Sequence, residues 1–331
     1  MIKVKTKGGK TMQKLYPMKT SPVFKSYIWG GNRINEIYNK NTPEPPVAES
    51  WEISAHPDGE CTVANGEFKG KTINEISEIL SEEFLGTSIK KGEKFPLLLK
   101  VLDACDRLSV QVHPSDEYAN INENGEKGKT EAWYILNAEE GASLIYGFKE
   151  NVTKEDFEKA INEGRCEELL NKVPCQRGDV FYIPSGTVHA VGKGLLIAEI
   201  QQSSNTTYIV FDYNRKDKNG NLRELHIKKA LEVCNFESKK GCEKTVGKIE
   251  EAQGGTVEHI IDNEFFVFEK LCVKNEMPCK TNNLLHLLFV EEGDIKIGGE
   301  TFSKGDSILI PAGLCEYNIS GSSVVLRYYV R

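Results

Sequence analysis

Gly178-Asp179-Val180-Phe181-Tyr182-Ile183-Pro184-Ser185-Gly186-Thr187-Val188-His189 returns, with identical spacing, as Gly305-Asp306-Ser307-Ile308-Leu309-Ile310-Pro311-Ala312-Gly313-Leu314-Cys315-Glu316. Each copy reads as a turn, a short buried strand, a proline that stops it, a glycine-permitted turn and a polar side chain re-entering a cavity. Two copies imply a duplicated β-barrel. Outward from the first copy lie further strand candidates at Pro96–Leu102, Leu108–His113, Ala132–Leu136, Leu195–Gln201 and Thr207–Tyr213, each apolar or alternating and bounded by turn residues. Around the second lie Ile295 and Ile297, followed by the hairpin signal Gly298-Gly299. Three helical insertions interrupt this β pattern. The first opens at Thr72, which with Glu75 forms a capping box ahead of a stripe of Ile73, Ile76, Ile79, Leu80 and Phe84. The second starts at Thr153, and the third runs from about Leu225. Their apolar stripes are core-facing and carry no chemistry.

A chain of 331 residues predicts about two domains, and the polar, glycine-flanked stretch Glu237–Gly255 is the expected boundary. Met1–Lys14 holds five lysines with no apolar run behind it, so residues 1–13 read as a disordered leader, with Met12 a candidate start, and not as a secretory signal. The apolar runs Phe95–Leu99 and Leu284–Val290 are far below the roughly 20 residues of a membrane span. A net charge of −7 lacks the basic footprint of a nucleic-acid binder. Nine cysteines without C-x-x-C pairs indicate reduced thiols and a cytoplasmic protein. The expected partner is a small molecule, with neither nucleic acid nor membrane, and the chain as monomer or dimer.

Three segments bring metal-ligand residue types to β structure: Gln111-Val112-His113-Pro114, Lys129-Thr130-Glu131-Ala132-Trp133-Tyr134, and His189. Side chains two apart in a strand share a face, so Gln111 and His113 point together, and Glu131 and His189 complete a set of two imidazoles, a carboxylate and an amide. Such donors suit zinc with a position left for water or substrate. Singly, each histidine is more simply a buried core residue; beside the repeated segment the set carries weight. Gly-Asp…Pro-x-Gly-x-x-His resembles the second motif of the cupin superfamily, whose jelly-roll barrels hold metals inside. The resemblance implies a mainly β fold of two cupin-type jelly-roll barrels with helical insertions. In the second copy Glu316 stands at the ligand position, which argues against a second metal site.

Trp51-Glu52-Ile53-Ser54, Phe95–Lys100, Leu108–Pro114, Lys129–Tyr134, Gly178–His189 and Glu199-Ile200-Gln201-Gln202-Ser203-Ser204 together resemble the type I mannose-6-phosphate isomerases in their short bacterial form. The resemblance implies a metal-binding catalytic cupin domain over residues 14–240 and a degenerate cupin-like domain over 241–331. It implies one zinc ion per chain, held by Gln111, His113, Glu131 and His189, and interconversion of mannose 6-phosphate and fructose 6-phosphate through a cis-enediol(ate). The same resemblance marks Lys129 and Glu199 as the catalytic pair, either admissible as the base and Glu199 the favoured proton shuttle with Lys129 as polariser, and marks Lys100 with Ser109 as phosphate contacts. The family's aspartate and arginine after this strand are here Asn205 and Ile209, and Arg215, six residues on, is the expected substitute if the strand continues through Tyr213. A non-catalytic phosphosugar sensor and an iron-dependent cupin oxygenase stay open as alternatives.

Overall fold

Leu97–Ala104 and Leu195–Gln202 are buried at every position, as strands covered on both faces must be. In the structure, a computed structural model describing residues 3–4, 13–90, 92–216, 219–237 and 243–331, they lie side by side in the middle of one sheet. Their antiparallel register sets Glu199 opposite Lys100, and the next strand, Glu131–Ala138, sets Trp133 opposite Glu199 and Glu131 opposite Gln201. Val180–Ile183 closes one edge of this six-stranded sheet, and Glu49–Ile53 and Val23–Lys25 lie at the other. A five-stranded sheet runs in the order Leu170–Pro174, Ser143–Phe148, His189–Val191, Val110–Val112 and Tyr208–Phe211. Trp29, Trp133, Leu144, Tyr146, Phe181 and Ile197 join one core that draws on both sheets. Helices Lys154–Asn162 and Ile227–Val233 bury Phe157 and Leu231 in a second cluster with Val110 and Tyr208.

The chain divides into two compact units: Met1–Val23, Trp51–Pro96 and Val246–Arg331 form the first, and Phe24–Ser50 with Leu97–Thr245 form the second, just described. The first unit is built from an eight-stranded and a four-stranded sheet around Leu271, Leu288, Ile308, Phe302 and Ile319. The fold is therefore mainly β, each unit built on two sheets, with helical insertions. Thr245 ends the second unit and Val246 resumes the first, and Trp51–Pro96 lies in the first unit, not in a domain running over 14–240. It belongs with the C-terminal strands because Met18–Ser21 pairs with Ser307–Ile310 on one side and with Thr62–Val63 on the other, and because Gly86 bridges Leu284. Such pairings between remote segments leave no local mark in a sequence.

Helix starts follow the side-chain signals. Thr72 caps Ile73–Leu80 in a full capping box with Glu75, and Thr153 does the same with Asp156. Two short helices, Arg33–Tyr38 and Asp116–Asn122, were not expected, since neither carries an apolar stripe long enough to show a period. Most of the leader lies outside the described residues; of its described positions, Lys3–Val4 pair antiparallel with Gln13–Lys14. The described cysteines are all free thiols, and no described helix is long and apolar enough to cross a membrane.

Both repeat copies begin with a glycine at φ near +90°, Gly178 at 88° and Gly305 at 89°, and continue into the expected strands Val180–Ile183 and Ser307–Ile310. After the proline they diverge. Gly186 turns at φ 84° and His189 starts a buried strand, whereas Ala312–Leu314 form a 3-10 turn and Cys315 takes the positive φ. Glu316 consequently faces solvent, where it meets Lys280 at 3.4 Å, and does not re-enter a cavity.

In the first unit the imidazole of His286 is 3% exposed, its Nδ1 lies 2.9 Å from the Tyr317 hydroxyl, and burial, reinforced by the Arg327 charge, pushes its pKa down to about 3. The unfolded chain takes up this proton as pH falls through about 6.5, the folded unit only near pH 3, so stability is lost progressively across that window and is intact above it. Urea titrations at pH 7 and pH 4 should show His286→Gln removing on the order of 2–3 kcal/mol of the acid-induced loss. An unchanged pH dependence in the variant would mean that His286 is not the group responsible.

Candidate metal centre and active-site cavity

His189 heads its strand directly opposite Gln111 of Val110–Val112, and His113 follows the end of that neighbouring strand. Glu131 begins its own strand in the six-stranded sheet. The structure thus collects His113, Glu131 and His189 into one buried cluster whose ligand atoms all lie within 4.8 Å of one another, the one such group among the described residues. Glu131 Oε2 is 3.6 Å from His113 Nε2, and Glu131 Oε1 is 3.4 Å from His189 Nε2. The Gln111 amide lies 3.2 Å from His189 Nε2.

Each imidazole is oriented from behind. His113 Nδ1 is 3.0 Å from the Thr206 carbonyl oxygen, and His189 Nδ1 is 2.9 Å from that of Thr187. A carbonyl can only accept, so Nδ1 carries the hydrogen and the Nε2 lone pair faces Glu131. Burial holds both rings neutral, lowering His113 well below its ordinary value and His189 to about 4. Burial pushes Glu131 up to about 7, opposed by the Lys129 ammonium at 3.3 Å.

Both Glu131 oxygens and His113 Nε2 are buried without a hydrogen-bond partner. Lys129 offers one of these oxygens charge but no hydrogen bond, and buried polar atoms left this way are costly, which a cation among them would relieve. Two neutral imidazole nitrogens, each within 3.6 Å of an oxygen of one buried carboxylate, are the donor chemistry that suits a divalent ion bound by nitrogen and oxygen.

The cluster adjoins a cavity of about 340 Å³ lined by Lys100, Ser109, Gln111, Lys129 and Glu199, with Ile209 in its wall. Lys100 lies mid-strand, 4% exposed, 3.4 Å from Glu199 and 3.8 Å from Glu49. Burial would discharge both members of the Lys100–Glu199 pair. Instead Glu49 and Glu199 hold the lysine above its ordinary value, and Lys100, Lys129 and the Trp133 indole hold Glu199 below the usual carboxylate range. The Trp133 Nε1–H donates to Glu199 Oε2 at 2.9 Å and fixes its rotamer.

Of the residues expected at the site, only Arg215 is not brought to it. The strand ends at Phe211, and Tyr213 and Asn214 take positive φ (57° and 53°), which turns the chain away. Arg215 is instead bound to Asp212 and donates to the Arg107 carbonyl, and it lines an adjoining cavity. Glu49, Trp133, Arg223, Glu224 and His226 were missed. Only Trp133, inside the Lys129–Tyr134 string, carried a local signal.

Fold and site define a cupin with a buried candidate metal cluster beside a charged cavity. The family model "Phosphomannose isomerase type I, catalytic domain" matches residues 17–142, and "Mannose-6-phosphate isomerase, cupin domain" matches 256–330. Mannose-6-phosphate isomerase ManA of Bacillus subtilis is 42% identical over 92% of this chain and 96% of that protein. Mannose-6-phosphate isomerase of Streptococcus mutans is 39% identical over 90% of this chain and 93% of its own length. A crystal structure of mannose 6-phosphate isomerase from Bacillus subtilis superposes with a TM-score of 0.88 at 37% identity, covering 95% of this chain and 99% of that one. The chain belongs to the type I phosphomannose isomerases.

Proposed function

We propose that this chain is a zinc-dependent aldose–ketose isomerase that interconverts mannose 6-phosphate and fructose 6-phosphate through a cis-enediol(ate). The observation that carries the reading is the buried His113–Glu131–His189 cluster, with its orphaned donor atoms, beside a cavity holding an ionised carboxylate and two ammonium groups. Gln111, His113, Glu131 and His189 would hold the ion. Zinc bound there supplies Lewis-acid polarisation of the sugar carbonyl.

Glu199 is the proton shuttle: ionised by Lys100 and oriented by Trp133, it takes the proton from one carbon of the opened sugar and returns it to the next. Lys129, beside the cluster, donates to the oxygen on which negative charge develops. Ser109 and Lys100 offer a hydroxyl and an ammonium to the phosphate from the wall. The proposed setting is the cytoplasm.

The test is a coupled assay for fructose 6-phosphate formation from mannose 6-phosphate on chelator-stripped protein, repeated with zinc restored. Turnover should vanish with stripping and return with zinc. Saturable binding of the phosphosugar with no turnover under any divalent metal would leave a sensor in place of an enzyme, and oxygen uptake with iron would point to an oxygenase.

A further inference from the structure

The cations lining the cavity are not equivalent. Lys100 faces Glu199 and Glu49 at 3.4 and 3.8 Å, and Lys129 faces Glu131 at 3.3 Å, so each ammonium is already answered by a carboxylate. Arg223 is exposed, lines the same cavity, and forms no hydrogen bond or ion pair with any described residue. Its neighbour Glu224 also lines the cavity.

The segment carrying Arg223 is tied to the cavity wall. The His226 N–H donates to the Ile209 carbonyl at 2.7 Å, and the Ile209 N–H donates to His226 Nδ1 at 3.2 Å. With Nδ1 accepting, the ring hydrogen sits on Nε2, and the ring lines the same cavity. Ile209 itself sits opposite Gln111 in the sheet and offers the cavity only hydrocarbon. Arg223 is therefore tethered beside the stretch of wall that lacks a cation of its own, and it also borders the adjoining cavity lined by Tyr27 and Trp29.

We propose that Arg223 is a substrate-binding residue that takes the phosphate of the phosphosugar, with His226 as a neighbouring donor. This deepens the isomerase reading and rests on it. Lys100, compensated by Glu199 and Glu49, adds a directed hydrogen bond to the phosphate but little net charge, whereas a guanidinium with no partner among the described residues presents a planar pair of donors to two phosphate oxygens. Arg223 thereby selects phosphorylated over free hexose.

Calorimetric titration of the metal-loaded protein with fructose 6-phosphate, and separately with inorganic phosphate, tests this alongside steady-state kinetics. Arg223→Ala should weaken fructose 6-phosphate binding about ten- to a hundredfold and raise KM more than it lowers kcat, with metal content unchanged. Arg223→Lys should recover part of the loss. An active parent whose Arg223→Ala variant binds both probes within about twofold of it overturns the inference and leaves the isomerase reading standing. A parent that binds fructose 6-phosphate in an Arg223-dependent way but turns nothing over upholds the inference and overturns the isomerase reading. A parent that binds neither probe overturns both.

Discussion

Glu131→Gln protein is expected to hold metal more than about a hundredfold more weakly than the parent and to lose isomerase activity with it. Partners that merely orient a ligand are worth 10- to 100-fold in metal affinity, so loss of a ligand must exceed that range. Glutamine keeps the volume of the side chain, and the surrounding strands keep their packing. What disappears is the negative charge between His113 and His189, at 3.6 and 3.4 Å from their Nε2 atoms. Lys129, 3.3 Å from that carboxylate, then faces a neutral amide and repels the incoming cation. Metal analysis after dialysis, with circular dichroism as the check on folding, reads the outcome. A variant that retains stoichiometric metal and parental turnover would remove Glu131 from the ligand set and undo the proposed centre.

The second large effect belongs to Glu199. Glu199→Gln should lower kcat by about 10²- to 10⁴-fold, or about 3–5 kcal/mol of barrier, while leaving metal content at the parental level. The amide cannot accept the substrate proton, yet it still fits beside Trp133 in the same buried strand. The change removes one of the carboxylates that answer the buried Lys100 charge, Glu49 at 3.8 Å being another, so thermal melting must accompany the kinetics. A primary isotope effect with C2-deuterated mannose 6-phosphate should mark proton transfer as the affected step in the parent. A larger fall in kcat for Lys129→Met than for Glu199→Gln would exchange the roles of the two residues.

Much of this site is legible from single segments because its side chains come from short strings with strict strand spacing. Gln111 and His113 stand two apart at a strand's end, Glu131 starts a strand, and His189 follows a glycine turn that the local sequence announces. Lys100 and Glu199 stand out as charged residues in otherwise apolar runs, although only the register reveals that they are partners. Arg215 was misjudged because two positive-φ residues, Tyr213 and Asn214, cut the strand short, and non-glycine residues in that conformation carry no reliable warning. Glu49, Arg223 and His226 escaped notice because each reaches the cavity through a contact between distant segments, such as the reciprocal hydrogen bonds of His226 with Ile209. The place of Trp51–Pro96 in the first unit was hidden for the same reason.

That interleaved course has a consequence for how the polypeptide is made. Met18–Ser21 emerges from the ribosome early, but its pairing partner Ser307–Ile310 is encoded near the far end of the chain. The whole of Phe24–Ser50 and Leu97–Thr245 is synthesised in between and can close its own sheets meanwhile. The first unit must therefore complete itself late, after a long wait with an open strand edge, and folding dominated by such remote pairings is slow and exposed to aggregation. Truncation anywhere between Thr245 and Ile310 leaves that edge permanently without its partner, so shortened chains should be a burden on chaperones even when the metal-binding half is whole.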